Sequence, residues 1–274
     1  MTETAIDTTR LGRPPFSDAR YYQAAVLFGY AVSAREIFHF ERTHSTTALC
    51  VAWAVALDLL LGRFYYRKLQ FPLSAVIIGL ASSLLVNSTT PLAYLLAVTL
   101  AILSKATLVS RGRHLFNPAC FGVTVMLQLA PGLVTGMPSL FGGYVVPSLV
   151  FFALGLGVAL YARQAEVSLS WIGGFVGFAA LRSVLLGTSV WVALAPLFGP
   201  AFLLFSFHMI SDPATTPRTR RYRIAFGLSV AAIDALLRVL RIPYGSFYAL
   251  FVMCALNPWI REAEERATRP VPAT

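Results

Sequence analysis

Apolar stretches of about membrane-spanning length follow one another along almost the whole chain, and they leave it one solvent in which to fold. Ten such spans can be drawn, at 21–39, 46–62, 72–88, 91–107, 117–131, 142–162, 168–186, 188–207, 219–240 and 244–260. A helix crossing the hydrocarbon needs ~20 apolar residues, within a range of about 17–25. Of the 274 residues 57% are hydrophobic and 12% charged, with a mean hydropathy of +0.69, whereas soluble domains carry about 25% charged residues. Such a chain cannot cover itself with a polar surface in water. In lipid every backbone N–H and C=O must be satisfied internally, which makes the helix the simplest spanning unit. The sequence predicts an all-α, polytopic membrane protein of about ten transmembrane helices. Residues 1–20 read as a cytoplasmic N-terminal segment, 21–260 as the membrane domain and 261–274 as a cytoplasmic, solvated C-terminal tail. The first segment contains Pro14 and Pro15 but no apolar core, so it does not read as a cleavable signal. The span after Asn117 is short and reads as a half-helix or re-entrant segment.

The basic residues test this topology. Arg10, Arg13 and Arg20 precede the first span, and Arg63, Arg67 and Lys68 follow the second. Lys105, Arg111 and Arg113 follow the fourth, and Arg163 the sixth. Arg218, Arg220, Arg221 and Arg223 follow the eighth, and Arg261, Arg266 and Arg269 the tenth. With ten crossings these 17 of the 22 basic residues fall on one side, leaving Arg35, Arg42, Arg182, Arg238 and Arg241 near the other. The positive-inside rule then places both termini in the cytoplasm of a cell whose inner (plasma) membrane holds the chain. It also accounts for the net charge of +10 without nucleic acid as a partner. Cys50, Cys120 and Cys254 lie far apart and read as small core residues.

Two motifs combine a cap residue with proline on that basic side. In the first, Lys105, Arg111, Arg113 and His114 lead to Asn117-Pro118-Ala119; asparagine suits an N-cap and proline the first helical position. In the second, His208-Met-Ile-Ser-Asp212-Pro213-Ala-Thr215 precedes the arginine cluster, and Asp212-Pro213 repeats the cap-and-proline chemistry. Either is read as a well-capped membrane helix with basic anchors, or as a helix start whose free N–H groups face an electron-rich or anionic ligand. Ser74 and Gly79, in Ser74-Ala-Val-Ile-Ile-Gly79, permit the close approach of a helix or a planar ligand. Asp234 and Arg238 have the spacing of an internal ion pair. Asp58 has no local partner and is read as an ion or proton site, or as paired across helices. His114 and His208 flank the proline motifs and are read as hydrogen-bonding or head-group residues in preference to metal ligands.

In this order Ser74–Gly79, Phe116-Asn117-Pro118-Ala119, Met209-Ile-Ser-Asp212-Pro213-Ala-Thr215 and Tyr244-Gly-Ser-Phe-Tyr-Ala-Leu-Phe-Val-Met-Cys-Ala-Leu-Asn257-Pro258 resemble the family that joins RnfD of the Rnf complex with NqrB of the sodium-translocating NADH:quinone reductase. The resemblance runs over residues 21–260, and Lys105 to Ala119 is most similar to smaller, stand-alone, UnbU-like relatives. It implies two inverted five-helix repeats similar to the ammonium and urea transporter fold. It also implies a bound riboflavin or FMN, electron relay among membrane redox partners, and possible coupling to ion movement. Respiratory members hold FMN covalently on a threonine after the fifth span, whereas the corresponding loop here, Pro131 to Phe141, lacks that motif. The resemblance therefore implies a non-covalent flavin and no covalent FMN, with Ser74, Gly79, Lys105, Arg113, His114, Asn117, Asp212 and Thr215 as binding residues. Two other classes stay open: a small-solute transporter or channel, with Asp58 and Asp234 along the path, and a membrane scaffold without a cofactor.

Overall fold

A computed structural model describes residues 17–37, 43–136 and 145–268. Almost all of the predicted spans are helices. They are α1 Ala19–Glu36, α2 His44–Phe64, α3 Leu73–Leu85, α4 Pro91–Thr107, α5 Pro118–Leu129, α6 Val145–Tyr161, α7 Ala165–Leu186, α8 Val190–Leu194, α9 Pro200–Leu204, α10 Arg220–Val239 and α11 Gly245–Thr268. Two short strand pairings accompany them. β1 (Val86–Asn87) pairs antiparallel with β4 (Thr135–Gly136), and β2 (Val109–Ser110) with β3 (Arg113–His114).

The helix starts follow local chemistry. Pro91 and Pro118 open α4 and α5, where a missing N–H costs nothing. Asp18, Thr43 and Asn117 cap α1, α2 and α5 with side-chain oxygens. By length and composition α2 and α7 can each cross a membrane.

The eighth predicted span is not one rod. It runs as α8, a 3-10 turn at Ala195–Phe198, α9 and a π turn at Phe205–Met209, with a 62° bend at the break. Counted as one, this bent pair makes a third span of sufficient length. The cause is the Gly199-Pro200 pair: Pro200 cannot donate to the turn before it, and Gly199 takes the extended backbone that a residue before proline prefers. At the other end α11 passes straight through Pro258 and continues to Thr268, with Arg261 and Glu264 buried. The first eight residues beyond Ile260 are thus helix and partly core.

α1–α5 pack among themselves, as do α6–α11; the groups meet where α1 touches α6 and α5 touches α11. The pattern of neighbours recurs between them. α2 lies on α4 and α4 on α5, just as α7 lies on α10 and α10 on α11. Small residues set the closest approaches. A Cβ on Gly79 would lie 2.6 Å from the Val51 Cα and 2.9 Å from the Cys50 carbonyl oxygen, so α3 rests backbone-to-backbone on α2. Gly227 of α10 sits as tightly against Val167 and Trp171 of α7. The core also holds Trp171, Phe205, Phe207 and Phe226, each almost wholly buried. Gly79→Ala should cost about 1–3 kcal/mol, since only backbone could yield to the added methyl. Detergent-solubilised protein followed by thermal unfolding measures this.

Candidate functional site

The two proline motifs meet. Asn117 spends its side-chain oxygen on capping α5, accepting from the Cys120 N–H at 3.0 Å. Its amide group donates across to the Asp212 carboxylate at 3.3 Å and lies 3.4 Å from the Met209 carbonyl. His114 Nε2 lies 3.0 Å from the same carboxylate oxygen, Oδ2. The second oxygen, Oδ1, accepts the Ala214 N–H at 2.9 Å. One carboxylate thus joins β3, the start of α5 and the loop after the π turn.

Asp212 does not begin a helix, as its proline neighbour suggested. Its backbone carbonyl accepts from the Thr215 and Thr216 N–H groups and from both their hydroxyls, closing a single turn. Pro217 ends that turn, because it has no N–H and restricts the residue before it. α10 starts only at Arg220.

A second layer lies beneath this turn. Asn257 donates to the Thr215 carbonyl at 2.6 Å, and Arg261 donates to the Ala214 carbonyl. Glu264 accepts the backbone N–H groups of Arg218 and Thr219. Thr216 donates to the Gln164 side chain at 3.0 Å. Asn257, Arg261 and Glu264 form one stripe of α11 at i, i+4 and i+7, the spacing of a single helix face. Arg111 pairs with Glu265 at 2.7 Å and ties the β2–β3 hairpin to the same helix. Not every polar atom here is used: Asn257 Oδ1 and Arg261 Nε are buried without a hydrogen-bond partner among the described residues.

The charge balance is positive. Arg113, Arg218 and Arg261 lie close enough to act on one another, with Glu264 and Asp212 as the opposing carboxylates. Burial, and then the neighbouring guanidiniums, hold Arg113 and Arg261 below the ordinary arginine range. For Asp212, burial pushes its pKa up, but His114, the Ala214 N–H and the Asn117 amide outweigh it, and the carboxyl sits below its ordinary value.

The other sequence-derived site residues lie elsewhere. Lys105 turns to α2 and α3, donating to Asp58 at 2.8 Å and to Ser74 at 2.6 Å. This gives Asp58 the cross-helix partner that its neighbours in sequence lack. Gly79 is a packing contact. Asp234 and Arg238 form the expected pair at 2.6 Å. His208 departs from the sequence reading. It is buried in the π turn, edge-on to Tyr30 at 5.4 Å between ring centres, and neither ring nitrogen has a hydrogen-bond partner among the described residues. Arg261, Glu264 and Gln164 were not singled out from sequence. The stripe at 257, 261 and 264 was readable by its helical period, once α11 is carried past Ile260.

Residues 141–269 match the model of the NQR2, RnfD, RnfE family. The resemblance read from the motifs is borne out over that stretch, which carries Asp212, Thr215, Asn257 and Arg261. No curated protein matches the chain.

The depressed Asp212 pKa sets a pH window. Its contribution to stability is fully present above the unfolded-state value of about 3.9 and is lost as pH falls through the lower folded-state value. Acid unfolding followed by tryptophan fluorescence should therefore show a stability loss below about pH 4. Asp212→Asn should flatten that limb and lower stability at neutral pH by about 1–3 kcal/mol.

Proposed function

With residues 141–269 matching the NQR2, RnfD, RnfE family, we propose that the chain is a membrane electron-transfer subunit that binds a flavin non-covalently where the α5 start meets the 209–219 loop. The observation that carries this reading is the pair of buried, unpartnered atoms on α11. Among the described residues Asn257 Oδ1 is a free acceptor and Arg261 Nε a free donor, one helical turn apart. Buried polar groups in native proteins are nearly always satisfied, so two orphans on one face call for a ligand with alternating donors and acceptors. The pyrimidine edge of a flavin, an N–H between two carbonyls, has that chemistry.

The residues first named for the site divide their work. Asn117, Asp212 and His114 bond chiefly to one another and to the backbone, so they hold the walls of the site in place. Thr215 fixes the loop through its own backbone and Asn257. Arg113, Arg218 and Arg261 supply positive charge, which favours an electron-rich, anionic occupant in a site of low dielectric. When bound, the flavin supplies the electron-accepting chemistry. The chain binds it, orients it and sets the charge around it, and redox partner proteins in or on the membrane would deliver and remove electrons. Ser74 and Lys105 belong to a separate ion-paired contact and support the helix packing.

A transporter reading draws on one observation, the 62° break between α8 and α9, since discontinuous helices build solute sites in transporters. Uptake of solute into proteoliposomes, independent of any redox reagent, would favour it.

Purified protein should show flavin absorbance or take up added riboflavin or FMN. Asn257→Leu should weaken that binding about 5–30-fold, the cost of one to two hydrogen-bond equivalents. Arg261→Gln should make the bound flavin harder to reduce, read as a lower midpoint potential. A colourless preparation that takes up neither compound would refute the proposal.

A further inference from the structure

A pocket of about 410 Å³ opens at the far end of α2, lined by Arg63, Phe64, Arg67, Lys68 and Leu69. The chain builds it by turning back sharply on the helix. The Tyr65 and Tyr66 N–H groups both bond the Leu61 carbonyl, and the Lys68 N–H bonds the Gly62 carbonyl, each at 2.9 Å. Gly62 permits this return, because a Cβ there would lie 3.1 Å from the Lys68 oxygen. Arg67 holds the bend at a φ of +51°, a conformation that glycine or asparagine would adopt more readily.

Three cations line this pocket, and among the described residues none of them has an ion pair. Asp58, the carboxylate one helical turn before Gly62, is already held by Lys105. No carboxylate among the described residues answers this positive charge. The pocket also joins an apolar track. Leu49, Trp53, Leu60 and Phe64 fall within about 60° of one another around α2, and each is exposed, Phe64 by 74%. α2 is one of the two helices long and apolar enough to cross a membrane, and few of its residues are buried by the protein. The track runs about 22 Å from Leu49 to the pocket mouth at the helical rise of about 1.5 Å per residue. Tyr65, 63% exposed, stands beside the mouth, where amphipathic rings settle at a membrane interface.

We propose that this pocket binds the headgroup phosphate of an anionic phospholipid whose acyl chains lie along the Leu49–Phe64 face of α2. Arg63 and Arg67 offer planar donor pairs to phosphate oxygens, and Lys68 adds a point charge. Leu69 and Phe64 cover the glycerol region. A free phosphate ion would meet the same cations but would leave the apolar track unused, and a zwitterionic lipid would bring its own ammonium into a positive pocket.

Native mass spectrometry of the purified protein, titrated with phosphatidylglycerol, phosphatidylcholine or inorganic phosphate, tests this. The expected result is a retained phosphatidylglycerol adduct that weakens as salt rises, with neither of the other two probes retained comparably. Arg67→Gly keeps the backbone turn and should weaken retention about 5-fold; the combined Arg63→Ala, Arg67→Gly and Lys68→Ala variant should weaken it about 100-fold. Phe64→Ala, which leaves every charge in place, should also reduce phosphatidylglycerol retention. Equal retention of phosphatidylglycerol and phosphatidylcholine, or wild-type retention by Arg67→Gly and Phe64→Ala, would overturn the proposal. So would protection against thermal unfolding by inorganic phosphate equal to that given by the lipid.

Discussion

A single carboxylate, that of Asp212, ties the two halves of this molecule together where the start of α5 meets the loop before α10. It receives the Asn117 amide from the first half and the Ala214 N–H from its own loop, with the His114 imidazole against the same oxygen that Asn117 meets. The group is mostly removed from solvent, its side chain 16% exposed. A buried carboxylate in such a place is stable only because each oxygen has a partner. Oδ1 depends on the Ala214 N–H alone, whereas Oδ2 is met by both Asn117 and His114. The asparagine that caps α5, the turn from Asp212 to Thr216 and the β2–β3 hairpin are therefore linked through one side chain.

From that joint the layers build up in order. The turn offers the Ala214 and Thr215 carbonyls downward, and Asn257 and Arg261 take them up. Glu264 then collects the backbone N–H groups at Arg218 and Thr219 just before α10. This arrangement spends nearly all of the local polarity on holding one short loop rigid. What it leaves over, an acceptor on Asn257, a donor on Arg261 and an excess of guanidinium charge, lies on the side of the loop backed by α11.

Much of this was legible in the residue order, and the parts that were not have physical reasons. Asn117-Pro118 announced a helix start because capping is local chemistry, and Asp234 with Arg238 announced a pair because four residues make about one helical turn. Pro91 and Thr107 bound their helix where hydropathy placed them. Lys105 was harder: its partners Asp58 and Ser74 are far away along the chain, and only the packing of α2, α3 and α4 brings them within reach. The eighth span read as a single apolar run because hydropathy is blind to backbone breaks, although Gly199-Pro200 carried the warning. The last helix was cut at residue 260 because the residues beyond it are polar and charged and read as a solvated tail, although the helix had already run past Pro258. Proline inside a helix removes one donor, and the packing around α11 tolerates that loss.

The π turn from Phe205 to Met209 closes with the Ile210 N–H on the Phe205 carbonyl, five residues back instead of four. A wide turn of this kind houses one residue more than the α-helix would, and each residue rotates the downstream chain by about 100°. Deleting one residue here would let the backbone relax into ordinary helix with little change in the direction of the chain that follows, because the wide turn already absorbs the rotation of its extra residue, and Asp212 would still face Asn117. The wide turn thus gives the stretch between Pro200 and Asp212 one residue of slack in its length, at a point where an unbroken α-helix would have none.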